Sequence, residues 1–179
     1  EAKKIEMAPL ALSDVDFQAR LLDLPLYLGI KTPSDVPKCI PYLFAKPAKV
    51  AEWGSFFAAD MGLKVGLVWA GNPAHGSDAF RSASINIFAP LSGIPDVTFY
   101  GLQKGAGIKE AKMPPEGLAY QWIGDLFSNF DDTAAAIANL DLVICVDTSV
   151  AHLAAAMGKP VWMLAALRNG EWRWTDHGN

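Results

Sequence analysis

Residues 140–164 of this chain read LDLVICVDTSVAHLAAAMGKPVWML, and this stretch decides its fold. It contains two unbroken apolar runs, Leu142–Val146 and Val161–Leu164. Runs of this length are typical of strands that are buried on both faces of a parallel sheet. The small residues 150–157 between them predict a helix that ends at Gly158, because glycine commonly closes helices. The stretch therefore predicts a compact β-α-β unit.

Asp147, Thr148 and Ser149 stand where the first strand meets this helix, and they are residue types that cap helices. Because the helix begins at the carboxyl end of a strand, its free N–H groups and positive dipole end face the crevice in which open α/β sheets bind ligands. This predicts an anion site, with phosphate as the ligand. The hydroxyls of Thr148 and Ser149 add donors, and His152 reaches the same pocket if its ring points back toward the N-terminus. A purely structural reading stays open, in which Asp147 and Thr148 only cap the helix and His152 binds a backbone carbonyl.

The composition narrows the class of protein. Of 179 residues, 51% are hydrophobic and 19% charged, and the net charge is −4, which gives no electrostatic reason to expect nucleic acid or a membrane surface as a partner. No apolar run approaches the roughly 20 residues that span a bilayer. Cys39 and Cys145 are far apart, and Cys145 lies in a predicted buried strand, so we expect a reduced, cytoplasmic setting.

The chain divides into an irregular and a regular part. Residues 1–62 hold six of the twelve prolines, which favours the end of an N-terminal domain and a linker, with one helix over 48–61. Residues 63–179 form the second predicted domain. There the strands at 65–70, 97–102 and 118–123 alternate with the helices at 85–91 and 133–140, before the β-α-β unit.

This alternation predicts an α/β fold, a doubly wound, mostly parallel Rossmann-like sheet with helices on both faces. Asp131 and Asp132 precede the helix predicted from Thr133 and are expected to cap it. After the last strand, Trp172 and Trp174 have no further element to cover them, so the second domain is expected to be truncated at its C-terminus. The stretch Trp172-Arg173-Trp174 would stack on a base or sugar ring, or pack against a neighbouring segment.

Polar residues also follow two other predicted strands. The first runs into Gly71-Asn72-Pro73, and its loop continues to Arg81. The planar guanidinium of Arg81 would suit a diphosphate, although a solvated loop arginine is an equally open reading. Gln103 ends the next strand, where its amide could hydrogen-bond a base or ribose.

Other kinds of chemistry are disfavoured. Gly105 and Gly107 lack the spacing and the following helix of a dinucleotide fingerprint, so no nicotinamide or flavin cofactor is expected. Ser149, His152 and Asp147 all lie within one turn of a helix start, and no G-x-S-x-G elbow surrounds the serine, which disfavours a hydrolase. The histidines and aspartates show no metal-ligand spacing, so no metal is expected.

Five segments together carry a resemblance to a known family. They are KVGLVWAGNPAH from residue 64, the pair Arg81-Ser82, FYGLQKG from residue 99, FDDTAAAIANLDLVICVDTSVAHLAAAMGKPVWML from residue 130, and EWRW from residue 171. These segments resemble the C-terminal half of bacterial glycosyltransferases of the heptosyltransferase-like family 9 group. The versions at the end of tetratricopeptide-repeat proteins are the most similar. Residues 146–162 are the most specific part.

The resemblance implies a GT-B arrangement, in which two Rossmann-like domains face each other and the C-terminal one holds a nucleotide-sugar donor. Its motif match gives a set of residues for the donor and its phosphates: Asp147, Thr148, Ser149 and His152 around the diphosphate, Arg81 to offset its charge, Asn72 in the same set, and Gln103 near the nucleoside.

In such enzymes the sugar is transferred by direct displacement without a metal. The nucleotide-diphosphate sugar is a substrate, so no cofactor is expected. The catalytic base is expected in the N-terminal domain, so this chain would be a donor-binding part rather than a complete enzyme. The acceptor, whether glycan, lipid-linked or protein, stays open. The alternative is a non-catalytic nucleotide- or phosphate-binding or scaffold module of a repeat protein, and a sugar-nucleotide epimerase is a third reading.

Overall fold

A computed structural model describes residues 16–36 and 39–166. The chain divides into two compact units, residues 1–38 and 39–179. The second unit thus begins earlier than the boundary that the sequence predicts between residues 62 and 63. The assignment of residues 1–62 to the end of another domain and a linker stays a prediction.

The first unit contains only short helical turns among its described residues. A 3₁₀ helix covers Leu21–Asp23, helix α1 covers Leu24–Tyr27, and a second 3₁₀ helix covers Pro33–Asp35. The Asp35 carboxylate accepts a hydrogen bond from the backbone N–H of Thr32 at 2.8 Å, which holds the second turn in place. No residue of α1 is buried.

The second unit is built on a five-stranded sheet. Its strands lie in the order β3-β2-β1-β4-β5, and every neighbouring pair is parallel. The predicted doubly wound parallel sheet is therefore confirmed. The strands are β1 (Leu63–Val68), β2 (Val97–Gly101), β3 (Tyr120–Trp122), β4 (Leu142–Val146) and β5 (Val161–Leu164). The third is shorter than predicted, because the N–H of Leu118 bonds to the carbonyl of Pro115 in a turn instead of entering the sheet.

Helices connect the strands and cover both faces of the sheet. They are α2 (Pro47–Phe57), α3 (Asp78–Arg81), α4 (Phe130–Ala138) and α5 (Ser149–Ala156), together with a seven-residue 3₁₀ helix over Ile85–Leu91. That last segment was predicted as a helix, and Pro90 inside it has no N–H to extend a regular helical ladder. Within the described part of the chain, no helix is long and apolar enough to cross a membrane.

The core lies on the two faces of the sheet. Alternate strand residues such as Val143 and Cys145 face α2, α4 and α5, whereas Leu67 and Ile144 face the 3₁₀ helix on the other side. Helix α2 adds Trp53, whose ring centroid lies 5.2 Å from that of Phe127. Because of this packing, α2 belongs to the second unit, which therefore begins before residue 63. Cys145 is fully buried, so the predicted buried thiol is confirmed. This burial, and then the nearby Asp147 charge, raise the pKa of the Cys145 thiol to about 12.

Helix α4 begins earlier than predicted because Asn129 caps it. The Asn129 side-chain oxygen accepts hydrogen bonds from the N–H groups of Asp131 at 2.9 Å and Asp132 at 3.2 Å. The prediction that the two aspartates cap this helix is therefore corrected. The Asp132 carboxylate instead accepts the N–H of Ser128 at 2.9 Å and lies 2.8 Å from the Lys49 ammonium.

Replacing Asp132 is expected to change how stability depends on pH. The hydrogen bond from Lys49, followed by the N–H of Ser128, holds the pKa of Asp132 below its ordinary value. A carboxyl whose folded pKa is depressed stabilises the fold above its unfolded pKa of about 3.9, and this stability is lost as pH falls through the folded pKa. We expect Asp132→Asn to lower the free energy of unfolding at neutral pH and to flatten its decline in acid, as measured by urea denaturation across pH.

The neighbouring residue provides the control. The Asp131 side chain is 47% exposed and pairs with the exposed Lys46, and exposed ion pairs contribute little to stability. Asp131→Asn should therefore leave the acid limb of the pH profile nearly unchanged. Equal changes of the acid limb in the two variants would show that the hydrogen bonds from Lys49 and Ser128 do not give Asp132 a special part in the pH dependence.

Candidate functional site

A cleft opens at the carboxyl ends of β1, β2 and β4. In the strand order, β1 lies between β2 and β4. The chain continues from β1 to β2 and β3 on one side of the sheet, whereas β4 and β5 follow on the other side. Open α/β sheets bind ligands at the point where the strand order reverses in this way. The cleft has a volume of about 730 Å³, within the range of about 300–1,000 Å³ that is usual for ligand pockets. Its polar lining comes from Asn72, Arg81, Gln103, Lys104, Ser128, Asn129, Thr133, Thr148 and Ser149.

The N-terminus of α5 forms one part of this lining. Thr148 is the N-cap residue, with an extended backbone (φ −140°, ψ 171°), but its side chain does not cap the helix. Its buried hydroxyl has no hydrogen-bond partner among the described residues. The predicted capping by Thr148 is therefore corrected, because the hydroxyl does not bond to the first turn. The first N–H groups of a helix have no partner within the helix, so this end of α5 is suited to an anion.

The N-terminus of α4 lines the same cleft through Ser128, Asn129, Phe130 and Thr133. Helix dipoles place partial positive charge at their N-termini. The first turn of α4, however, carries the carboxylates of Asp131 and Asp132, and the N–H groups of both residues bond to Asn129, so the N-terminus of α5 is the better suited of the two helix ends to an anion. The side-chain oxygen of Asn129 caps α4, so it already has hydrogen-bond partners. Phe130, the first residue of α4, is 61% exposed. The cleft therefore combines two helix N-termini with an exposed aromatic ring.

Two cations add to this positive potential. The Arg81 side chain is 21% exposed, and its Nε lies 3.8 Å from the Asp78 carboxylate. The Lys104 ammonium donates a hydrogen bond to the carbonyl oxygen of Phe127, which ties the loop after β2 to the segment before α4. Among the described residues that line the cleft, none is Asp, Glu or His. The described lining of the cleft is thus arranged to hold an anion, and it offers no carboxylate or imidazole as a general base.

The structure brings together most of the residues that the sequence singled out. Asn72, Arg81, Gln103, Thr148 and Ser149 all line the cleft, and their roles toward a ligand stay predictions. The Asn72 side-chain oxygen accepts the N–H of Ala74 at 3.0 Å, so this part of the side chain shapes its own loop.

Asp147 and His152 lie outside this lining. The His152 Nε2 is 3.6 Å from the Asp147 carboxylate, and the two side chains are 44% and 24% exposed. His152 therefore points back toward Asp147 at the start of α5, and neither residue is among those that line the cleft. The prediction that both residues surround a diphosphate stays untested.

Gln103 lines the cleft, but its side-chain amide is turned into the protein. Its side chain is buried, with only 2% of the residue exposed, and its amide bonds to the backbone of two loops. A direct hydrogen bond from this amide to a base or ribose would require those bonds to break. The predicted contact of Gln103 with a nucleoside stays untested, and the structure shows that its amide holds backbone groups of the cleft wall.

Several lining residues were not assigned to the site from the sequence, among them Lys104, Ser128, Asn129, Phe130 and Thr133. Lys104 directly follows Gln103 at a strand end, and an asparagine three residues before an aspartate is a signal for a helix start. The predicted stacking residues Trp172, Arg173 and Trp174 lie outside the described residues. In the described ranges, no group of three or more His, Cys, Asp or Glu could hold a metal ion.

Comparison with known proteins bears on the same region. Residues 127–164 match the family model of glycosyltransferase family 9 (heptosyltransferase). Protein FlbA of Caulobacter vibrioides is 33% identical in an alignment of 147 residues that covers 79% of this chain and 24% of FlbA. The chain thus spans about a quarter of the length of this curated relative. The predicted resemblance to family 9 is confirmed for the segment that forms α4, β4, α5 and β5, and the tetratricopeptide-repeat context stays a prediction.

Two solved structures are also similar. E. coli heptosyltransferase WaaC with ADP-2-deoxy-2-fluoro heptose matches with a TM-score of 0.48 and 16% identity, over 64% of this chain and 36% of that one. E. coli WaaC with ADP matches with a TM-score of 0.44 and 18% identity, over 62% and 35% of the two chains. This chain therefore spans about a third of the length of each.

Proposed function

We propose that this chain is the donor-binding part of a heptosyltransferase-like glycosyltransferase, and that its cleft holds the diphosphate of a nucleotide sugar. The proposal rests on the position of residues 127–164, the segment that matches the family model of glycosyltransferase family 9. This segment supplies the N-termini of both α4 and α5, which line the cleft. The part of the chain that is similar to glycosyltransferases is thus also the part that is suited to an anion.

The proposed reaction is direct displacement at the anomeric carbon of the donor sugar. The acceptor oxygen forms a bond to this carbon while the bond to the diphosphate breaks, and the leaving diphosphate gains negative charge. The N–H groups at the start of α5, the Thr148 hydroxyl and the Arg81 guanidinium would stabilise that charge electrostatically, without a metal. The proton of the acceptor would pass to a base in another part of the whole protein.

A second candidate function is a non-catalytic nucleotide- or phosphate-binding module. It is favoured by one observation, since no carboxylate or imidazole lies among the described residues that line the cleft. Both candidates predict nucleotide binding by this chain. Sugar transfer by the whole protein, lost when a cleft-facing carboxylate or histidine outside this chain is replaced, would favour the transferase.

Calorimetric titration with UDP, GDP, ADP and CMP tests the site directly. Saturable binding of a nucleoside diphosphate, tighter than that of CMP, would support a diphosphate subsite, because CMP lacks the second phosphate. No binding of any of the four to a sample with a cooperative unfolding transition would overturn the proposal for this chain.

Thr148→Val separates ligand binding from stability at the start of α5. The substitution replaces a buried hydroxyl that has no partner among the described residues by a methyl group of similar shape. We expect the free energy of unfolding to change by less than about 0.5 kcal/mol, and nucleoside diphosphate affinity to fall about tenfold, because a hydrogen bond to a charged group contributes about 1.5 kcal/mol or more. Thr148→Ser keeps the hydroxyl and should keep the affinity, as measured by the same titration. Unchanged affinity in Thr148→Val would remove the hydroxyl from the site.

A further inference from the structure

Gln103 stands at the carboxyl end of β2 with its side chain turned into the protein. We infer that Gln103 is a positioning residue, whose amide holds the two loops of the cleft and thereby sets the place of Arg81. This inference rests on the proposed function. Gln103 would arrange the residues of the proposed anion subsite and would not itself contact the nucleotide.

The amide first extends the pairing of β1 with β2. Backbone pairing between these strands continues as far as the hydrogen bond from the N–H of Leu102 to the carbonyl of Leu67, at 2.9 Å. Beyond it, the Gln103 Oε1 accepts the N–H groups of Trp69 at 3.1 Å and Ala70 at 3.0 Å, and its Nε2 donates to the carbonyl of Ala70 at 2.9 Å. A side-chain amide has the same donor and acceptor groups as a peptide unit, so it takes the place of one here.

The same amide holds the loop after β2. Its Nε2 also donates toward the carbonyl oxygens of Ala106 at 2.6 Å and Lys104 at 3.2 Å. This loop packs directly on the end of β1, since a Cβ added at Gly107 would lie 2.8 Å from the Trp69 Nε1. One buried side chain therefore joins two loops that line the cleft, and an apolar replacement would leave backbone groups from both of them unpaired.

A chain of contacts leads from this backbone to Arg81. The residue after Ala70 is Gly71, whose N–H donates to the Ser82 hydroxyl at 2.9 Å. That hydroxyl donates to the Asp78 carboxylate at 2.7 Å, and the same carboxylate oxygen lies 3.8 Å from the Arg81 Nε. The position of the Arg81 cation thus depends on the backbone that Gln103 holds.

A double-mutant cycle tests the inference. The probe is whichever of UDP, GDP or ADP binds the natural chain most tightly in calorimetric titration. We expect Gln103→Leu to weaken binding about tenfold in the natural chain but less than about twofold in an Arg81→Ala background, because coupled residues act non-additively. Equal losses in both backgrounds, or no loss in either, would overturn the inference.

A matched core variant separates positioning from general destabilisation. Phe99 lies on the same strand, is 2% exposed and does not line the cleft, so Phe99→Leu should lower stability while leaving the affinity of the folded protein unchanged. A loss of affinity in Phe99→Leu equal to that in Gln103→Leu would show that the effect of Gln103 is only structural.

Amide hydrogen exchange gives a readout that needs no nucleotide. In Gln103→Leu, the N–H groups of Trp69 and Ala70 should exchange much faster than in the natural chain, while that of Ile144 in β4 keeps its protection relative to global stability. Unchanged exchange at Trp69 and Ala70 would overturn the inference. If no nucleotide binds the natural chain, the proposed function fails, and this exchange experiment alone decides whether Gln103 holds the loop.

Discussion

Arg81→Ala is expected to weaken nucleoside diphosphate binding about tenfold to a hundredfold, because hydrogen bonds to charged groups contribute about 1.5–3 kcal/mol. Arg81 is the last residue of α3 and lines the cleft together with the N-terminus of α5. Its loss should also lower the free energy of unfolding by about 1 kcal/mol, because a side chain that is only 21% exposed is removed and the Asp78 carboxylate loses its neighbouring cation. Calorimetric titration and urea denaturation measure the two quantities.

Two further variants sharpen this test. Arg81→Lys keeps the charge but loses the planar fork, so its affinity should lie between those of the natural chain and Arg81→Ala. Lys109→Ala removes an exposed cation that does not line the cleft, and it should bind as the natural chain does. Equal losses in Lys109→Ala and Arg81→Ala would mean that overall charge, rather than a contact from Arg81, attracts the nucleotide.

Gly124→Ala is expected to lower the free energy of unfolding by about 3 kcal/mol or more, as severe overpacking of a buried site does. A Cβ added at Gly124 would lie 2.1 Å from the carbonyl oxygen and 2.8 Å from the carbonyl carbon of Gln103, and both are backbone atoms. That oxygen also accepts a hydrogen bond from the Trp122 Nε1 at 3.0 Å, which fixes its position further. The backbone of β2 or of the turn after β3 would have to move.

Gly76→Ala is the matched control for this substitution. A Cβ added at Gly76 meets no atom within 4 Å, and the residue is exposed. Urea denaturation should therefore show almost no change in Gly76→Ala and a large loss in Gly124→Ala. Similar stabilities of the two variants would contradict the close approach of Gly124 to Gln103.

Much of the fold could be predicted from local patterns. The apolar runs of β4 and β5 predicted the bounds of both strands. Burial on two faces was predicted for both, and it holds for β4 but not for β5, which stands at one end of the strand order with Trp162 63% exposed. The start of α4 was misplaced, since the Asn129 cap adds a first turn before Thr133. The segment at Ile85–Leu91 was predicted as a helix, and it forms the tighter 3₁₀ type with Pro90 inside it.

The candidate site was predictable to the extent that it follows from strand ends. Asn72, Gln103 and Thr148 each come after a strand, and parallel strands bring their carboxyl ends to one edge of the sheet. Their convergence therefore follows from the sequence once the strands are parallel. The direction of each side chain does not, because it depends on partners that are distant in the chain.

The sequence by itself determined the parallel α/β sheet, the helix start beside Thr148 and the resemblance of residues 127–164 to family 9, because all three are encoded in continuous stretches. Only the tertiary structure decided that the Gln103 amide bonds to the backbone of Ala70, which lies in the loop after β1 and 33 residues earlier in the chain. It also decided that α4 adds a second helix N-terminus to the cleft and that His152 lies beside Asp147 outside the cleft lining. These contacts depend on how separate elements pack, which local residue patterns do not specify.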